Sequence, residues 1–533
     1  MKIEFVGAAR TVTGSSYIVK SEDFTIMVDC GMFQGTEELR KRNHLQLIYA
    51  ADQIEALVLT HAHIDHSGLI PKLVHDGFKG PIFATKATCD LLKVMLPDSA
   101  HIQQMDAEFI NKKNRKIDKP FVDPLYTEED AYRSIERLVP VSYGDYFQVV
   151  PAVRARFRDA GHILGSSFIE MEATEKGKTK RIVFSGDLGP NDQALLRDAE
   201  VFEGADVLLI ESTYGDRLHK SKNDTYNEFK DIINSTHNRS GNIVIPSFAV
   251  ERTQEIIYQL SKLIKSKEVP PIPVYIDSPL AVSATEIFRN NIDCFDDETK
   301  KLFDQGNSPL DFPSLKFVRT KEESKNLTLN AKGSIIISAS GMCSAGRIKY
   351  HLQNNLYKPQ SSVIFVGYQA QGTLGRMLVE GIRRVKIYGD DVLVNASVFT
   401  LGGFSGHADR DRLLSWVSTG ITKDTLVFVV HGEESASENL SKEIRDRFGA
   451  TTMVPLWGEI IDLDTLELSA AKYGDMAAIE DEYYESGAVD LEEAFQELMT
   501  TYRKALAAKR PVRQTMHELE DLKAMIRMIS GEM

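Results

Sequence analysis

The chain is predicted to be an α/β protein of several units, on three observations. Short apolar runs with the length of buried strands recur, and several end at an acidic residue or a histidine. From about 213 to 395 helical and strand patterns alternate, as in βαβ units around a mostly parallel sheet. The 533 residues also exceed one ordinary core, since domains hold roughly 100–200 residues.

Taken in order, Met1-Lys2-Ile3-Glu4-Phe5-Val6-Gly7 carries an early acid and no long apolar run, so it reads as a first strand rather than an export signal. Up to about 210, short strands, glycine-rich turns and a few helices are expected. Val58-Leu59-Thr60, Pro81-Ile82-Phe83-Ala84, Arg181-Ile182-Val183-Phe184-Ser185 and Asp206-Val207-Leu208-Leu209-Ile210 read as buried strands, the last two running to Asp187 and Glu211. In the alternating stretch, Asn242-Ile243-Val244-Ile245-Pro246 precedes a helix from Arg252 to Leu260. Further strands fall at Pro273-Val274-Tyr275-Ile276, Ser334-Ile335-Ile336-Ile337-Ser338 and Val363-Ile364-Phe365-Val366-Gly367. From 396 to 465 short strands return, Leu426-Val427-Phe428-Val429-Val430 leading directly into His431. Residues 471–490 carry six acids against one lysine and read as a linker. Two amphipathic helices follow, with Leu491, Phe495, Leu498 and Tyr502 on one face and Leu519, Leu522, Ile526 and Ile529 on another. A hairpin packed on its own protomer and a homodimer element fit them equally.

Composition removes some classes. No apolar stretch approaches the ~20 residues that span a bilayer, so a membrane protein is not expected. Cys30, Cys89, Cys294 and Cys343 are dispersed, which excludes a disulfide framework and a zinc ribbon and, with no export signal, points to the cytoplasm. A net charge of −14 argues against indiscriminate nucleic-acid binding. It leaves an RNA substrate open, because bound cations and a local basic strip attract phosphate.

The chemistry concentrates in His61-Ala62-His63-Ile64-Asp65-His66, at the end of the apolar run Ala56–Thr60. Two histidines at i and i+2 on extended chain point the same way. Asp65 and His66 come one turn later and can address a neighbouring position. Imidazole and carboxylate suit zinc, with manganese or iron as alternatives by ligand type. His162, Asp187, His431 and Asp29 complete the ligand count for two metals. One zinc is assigned to His61, His63 and His162, the other to Asp65, His66 and His431, with Asp187 bridging and Asp29 orienting a ligand. Two zinc ions ~3.5–4 Å apart suit phosphodiester hydrolysis, and zinc brings the pKa of water to about 7. His407 is the candidate acid for the leaving oxygen, with Glu211 the carboxylate that would keep it protonated.

These residues resemble the metallo-β-lactamase superfamily and, within it, the β-CASP nucleases. The resemblance runs from Gly7-Ala8-Ala9-Arg10-Thr11-Val12-Thr13-Gly14-Ser15 to about 460. It maps the superfamily motifs onto Asp29, His61/His63/Asp65/His66, His162 and Asp187, and the β-CASP motifs onto Glu211, His407 and His431. It implies a four-layer αβ/βα sandwich (1–212 and 396–465), an inserted α/β β-CASP cap (213–395), a cleft between them and a helical C-terminal extension (466–533). Pro246-Ser247-Phe248-Ala249-Val250-Glu251-Arg252-Thr253-Gln254-Glu255 and Gly367-Tyr368-Gln369-Ala370-Gln371-Gly372-Thr373 are similar to the bacterial and archaeal RNA-processing branch, and so to the pre-mRNA 3′-end cleavage endonuclease. Histidine at 431 goes with RNA substrates in that family.

Ser340-Gly341 and Gly346-Arg347 have the makings of a phosphate cradle, with Arg252 and Arg376 as further phosphate ligands; a turn or a surface arginine is the equal alternative. Lys112, Lys113, Arg115, Lys116 and Lys119 read mostly as a solvated helix face. The function expected is a zinc-dependent ribonuclease, mainly endonucleolytic, leaving a 3′-hydroxyl and a 5′-phosphate by the resemblance. The alternatives are a 5′→3′ exoribonuclease, a small-molecule metallo-hydrolase and an RNA-binding scaffold.

Overall fold

The structure, a computed structural model, describes residues 1–45, 50–116, 119–369 and 372–470. Met1–Lys472 form one compact unit. The acidic linker and the two amphipathic helices, whether hairpin or dimer element, lie outside the described residues.

Alternation along the strands builds the layers. In Val207–Glu211 and Leu426–Val430, paired in parallel, every residue is buried, which is why both read as unbroken apolar runs. Val207, Leu209, Leu426, Phe428 and Val430 enter one core with Ile3, Phe5, Val28 and Val58 of the opposite sheet. Leu208, Ile210, Val427 and Val429 face the other way and pack on Leu413, Trp416 and Leu440, from the helices Arg410–Val417 and Glu434–Phe448. On the far side, Met27 and Leu57 pack against Ile70, Leu73, Leu91 and Leu92, from Ile70–His75 and Lys86–Asn114. The result is helices, sheet, sheet, helices, the sandwich the resemblance implied.

The first sheet has eight strands in the order Leu468–Ala470, Glu459–Asp462, Lys2–Phe5, Tyr17–Lys20, Thr25–Val28, Ala56–Val58, Ile82–Thr85, Leu138–Val141. The second has seven, from Thr451–Met453 through Leu426–Val430, Val207–Glu211, Lys178–Phe184, Ser167–Glu175 and Val153–Asp159 to Tyr146–Val150. Val207–Glu211 and Leu426–Val430 are neighbours although more than 200 positions separate them, so the intervening chain leaves the sandwich and returns. Within it lies a six-stranded, all-parallel sheet in the order Leu315–Phe317, Val274–Ile276, Ile335–Ser338, Ile243–Pro246, Ser362–Phe365, Ser397–Thr400. The βαβ rhythm reported it.

Two features depart from the expected pattern. Lys86–Asn114 is a single 29-residue helix that continues through Pro97. The 396–465 stretch holds two helices besides its strands. Lys112 and Lys113 sit in the last turn of the long helix with Arg115 and Lys116 just beyond, all exposed, as a solvated face requires.

Candidate metal centre

The register of the parallel strands gathers the predicted residues at one edge. Val28 pairs with Val58, which sets Asp29 beside the Thr60–His66 segment. Glu211 pairs with Val430, which sets His431 beside Ser212. Both sheets therefore deliver polar residues beyond the carboxyl ends of their parallel strands, where α/β sheets bind ligands. His63 is the N-cap of the one-turn helix Ile64–Ser67, so Asp65 and His66 leave the segment in a new direction. A Cβ on Gly31 would stand 1.7 Å from the Asp65 carbonyl oxygen, and glycine there lets the two loops touch. Asp29 and His431 both take positive φ (57° and 48°), the local strain that site residues often carry.

Two donor sets converge. In the first, His61 Nε2 and His63 Nδ1 are 3.2 Å apart, His63 Nδ1 and His162 Nε2 are 3.1 Å apart, and Asp187 Oδ2 lies 3.5 Å from both His61 and His162. In the second, His66 Nε2 is 3.2 Å from His431 Nε2 and from Asp187 Oδ1, and Asp65 Oδ2 is 3.6 Å from His431 Nε2. A tetrahedron with 2.0–2.1 Å bonds has edges of about 3.3–3.4 Å, so the spacings fit zinc. Both Asp187 oxygens are buried without a hydrogen-bond donor, and each faces one set. An orphaned carboxylate in that position fits a bridge between two cations.

The far side of each ring fixes its tautomer. His66 Nδ1 donates to Asp29 Oδ2 at 2.7 Å and His162 Nδ1 donates to the Gly406 carbonyl at 2.7 Å, which turns both Nε2 lone pairs inward. Two threonines act as relays. The Thr60 hydroxyl gives its proton to Asp29 (2.8 Å), so its oxygen accepts from His61 Nδ1 at 3.0 Å. The Thr213 hydroxyl gives its proton to Glu211 Oε2 (2.6 Å) and accepts from His431 Nδ1 at 3.1 Å. Sequence reading missed both relays; adjacency to a ligand motif is their only signal.

The charges of the first donor set agree with a cation site. Burial drives His61 and His162 well below the ordinary histidine range and His63 down to about 4, so these rings are neutral, as ligands must be. Burial acts to raise Asp187, yet His431 and His66 hold it well below the usual carboxylate range. Burial acts to lower His66, yet Asp187 and Asp29 hold it well above the histidine range, so His66 must give up a proton to act as a ligand.

His407 Nδ1 stands 3.3 Å from Glu211 Oε2 and 3.8 Å from Asp187 Oδ2. Burial acts to lower it, but the carboxylates of Glu211, Asp187 and Asp65, with Glu211 the strongest, together leave its pKa raised. The pairing expected across almost 200 positions is present. Glu211 is itself fixed by the Leu188 N–H, on the residue after Asp187 (2.5 Å).

The expected phosphate ligands are less free. Arg252 is only 7% exposed and ion-paired with Glu255, and it lies close to Gly406. Arg347 is held by Asp277 (2.7 Å) and the Arg319 carbonyl (3.1 Å), and Arg376 by Glu380 (2.6 Å). Ser340 Oγ accepts from the Ala345 N–H at 3.3 Å, Gly341 backs onto the Phe248 ring, and Gly346, at positive φ, abuts the Ala339 carbonyl. Each guanidinium thus already has a carboxylate partner.

Comparison with known proteins accords with this geometry. Residues 9–130 match the metallo-beta-lactamase superfamily, 253–378 the Beta-Casp domain and 391–455 the Zn-dependent metallo-hydrolase RNA specificity domain. The chain is 37% identical over 442 residues to Ribonuclease TTHA0252 of Thermus thermophilus, covering 83% of this chain and 95% of that protein. It is 30% identical over 472 residues to Transcription termination factor FttA of Thermococcus kodakarensis (85% and 70% covered), and 27% over 478 to FttA of Methanosarcina mazei (88% and 72%). Matched over 83% of its length by a relative of this identity, and by three family patterns in the order the fold requires, the chain belongs to the metallo-β-lactamase superfamily, in the branch that carries a β-CASP domain.

Proposed function

We propose that the chain is a metal-dependent hydrolase that cleaves RNA phosphodiester bonds, using two zinc ions. His61, His63 and His162 hold one, Asp65, His66 and His431 the other, and Asp187 is shared. The observation that carries this reading is the inward convergence of seven donors at tetrahedral spacing, with a raised-pKa histidine beside them. When bound, the zinc ions supply Lewis acidity and bring the pKa of water to about 7; manganese suits the same donors less specifically. The chain's own residues do the rest. Asp29, Thr60, Thr213 and Glu211 hold the ligand rings in one tautomer. His407, kept protonated by Glu211, gives its proton to the leaving oxygen.

RNA as substrate is supported by the printed name of the 37% identical relative, a ribonuclease, and by the RNA specificity match at 391–455. The inserted cap, whose sheet runs past the expected boundary at 395 to include Ser397–Thr400, suits a polymer better than a small molecule. Arg376, 36% exposed, is the phosphate candidate most easily released from its partner. We assign the protein to the cytoplasm on its four unpaired cysteines. Cleavage is mainly endonucleolytic, with 5′→3′ exonuclease action as the second mode. Incubating 5′-labelled and internally labelled RNA with the protein tests both. Internal fragments are expected; mononucleotides alone would point to the exonuclease, and intact RNA would refute the activity. His431→Ala is expected to abolish cleavage, and near-normal turnover would refute the second metal's ligand set.

A further inference from the structure

We infer that Glu251 is a positioning residue: its carboxyl, carried by the β-CASP cap, ties down the loop that presents His162 to the metal cluster. The inference rests on the proposed role of His162 as a ligand. Glu251 is 2% exposed and has φ 67° and ψ −62°, with the Arg252 N–H donating to the Val250 carbonyl at 2.9 Å. This is a γ-turn with positive φ, a rare and strained conformation for a residue with a Cβ. Glycine would relieve that strain, yet the chain has a glutamate here.

The side chain accounts for the choice. Glu251 Oε2 accepts from the Leu164 N–H at 3.1 Å. Gln193 Nε2 reaches Glu251 Oε1 at 3.3 Å and the His162 carbonyl at 3.2 Å. One carboxyl oxygen therefore grips the His162 loop directly, 87 positions away in sequence, and the other grips it through Gln193, 58 positions away. The loop's other anchors are of different origin. Ser166 Oγ takes the His162 N–H (3.0 Å), Asp159 takes the Gly161 N–H (2.9 Å), and Gly406 takes the ring proton. Glu251 is thus a strut from the all-parallel sheet's first βα turn to a ligand in the sandwich. Burial, then the neighbouring Glu255, push its carboxyl up to about 8, so glutamine matches it in size and charge while supplying one acceptor in place of two.

Zinc content after a chelator challenge, kcat and KM on RNA, and melting temperature should be compared for wild type, Glu251→Gln, Glu251→Ala and Gln193→Ala. Glu251→Ala is expected to lose roughly half of its zinc and about tenfold in kcat, with KM little changed. Glu251→Gln keeps an acceptor for the Leu164 N–H but turns an N–H toward Gln193 Nε2, so it and Gln193→Ala should both fall between wild type and Glu251→Ala. Wild-type zinc retention and kcat in Glu251→Ala, or in Gln193→Ala if the alanine variant does not fold, would overturn the inference. So would Glu251→Gln failing as badly as alanine. A wild-type protein without zinc or RNA cleavage would instead refute the proposed function, and this inference with it.

Discussion

At the residue scale, the account turns on which proton sits where. The His407 pKa is raised against the pull of burial, chiefly by Glu211 and then by Asp187 and Asp65. A raised histidine pKa means the protonated form persists to higher pH and is lost as pH rises through that value. Glu211→Gln removes the raising charge, so the alkaline limb of the kcat profile is expected to move to lower pH. An unmoved limb would deny His407 the acid role. His407→Ala is expected to keep its zinc and to lose activity by about 10²–10⁴-fold, the range of general acid catalysis. Zinc loss on elemental analysis would place His407 among the ligands instead. The cluster of proposed ligands was legible in the sequence because three histidines and an aspartate within six residues are hard to explain otherwise. Thr60, Thr213, Gln193 and Glu251 were not. Each is an ordinary residue until a partner from a distant strand shows what its side chain touches.

At the element scale, the site stands on strand ends, and strands buried on both faces supply the rigidity. Val207–Glu211 and Leu426–Val430 were easy to read because burial on two faces leaves no polar alternation. The helix Lys86–Asn114 was hard to read: Pro97 suggests a break, and its second half leaves Met105, Phe109 and Ile110 exposed, which blurs the amphipathic stripe. Gly341 and Gly346 read as a phosphate cradle but answer to close packing against Phe248 and Ala339. Phe428, fully buried and edge-on to Phe5 at 5.0 Å between ring centroids, joins the two sheets. Phe428→Ala is expected to cost about 3–5 kcal/mol of unfolding free energy in a denaturant titration. A cost under about 1 kcal/mol would mean that the inter-sheet core does not bear on the site's rigidity as described.

At the scale of the whole molecule, two sheets meet over one core, and their strand ends bring together donors from residue 61 to residue 431. Sequence periodicity gave the sheet elements but not their pairing. The return of the chain to Leu426–Val430 beside Val207–Glu211 is a long-range contact that only the resemblance anticipated. With a net charge of −14, the protein as a whole repels RNA, so attraction must be local, and bound cations are its natural source. The most direct measurement is zinc content, followed through chelation and re-addition, alongside cleavage of internally labelled RNA in the same samples. The account predicts about two zinc ions per chain, cleavage that disappears as they are removed, and recovery when zinc returns. Undiminished cleavage by protein stripped of all metal would contradict it.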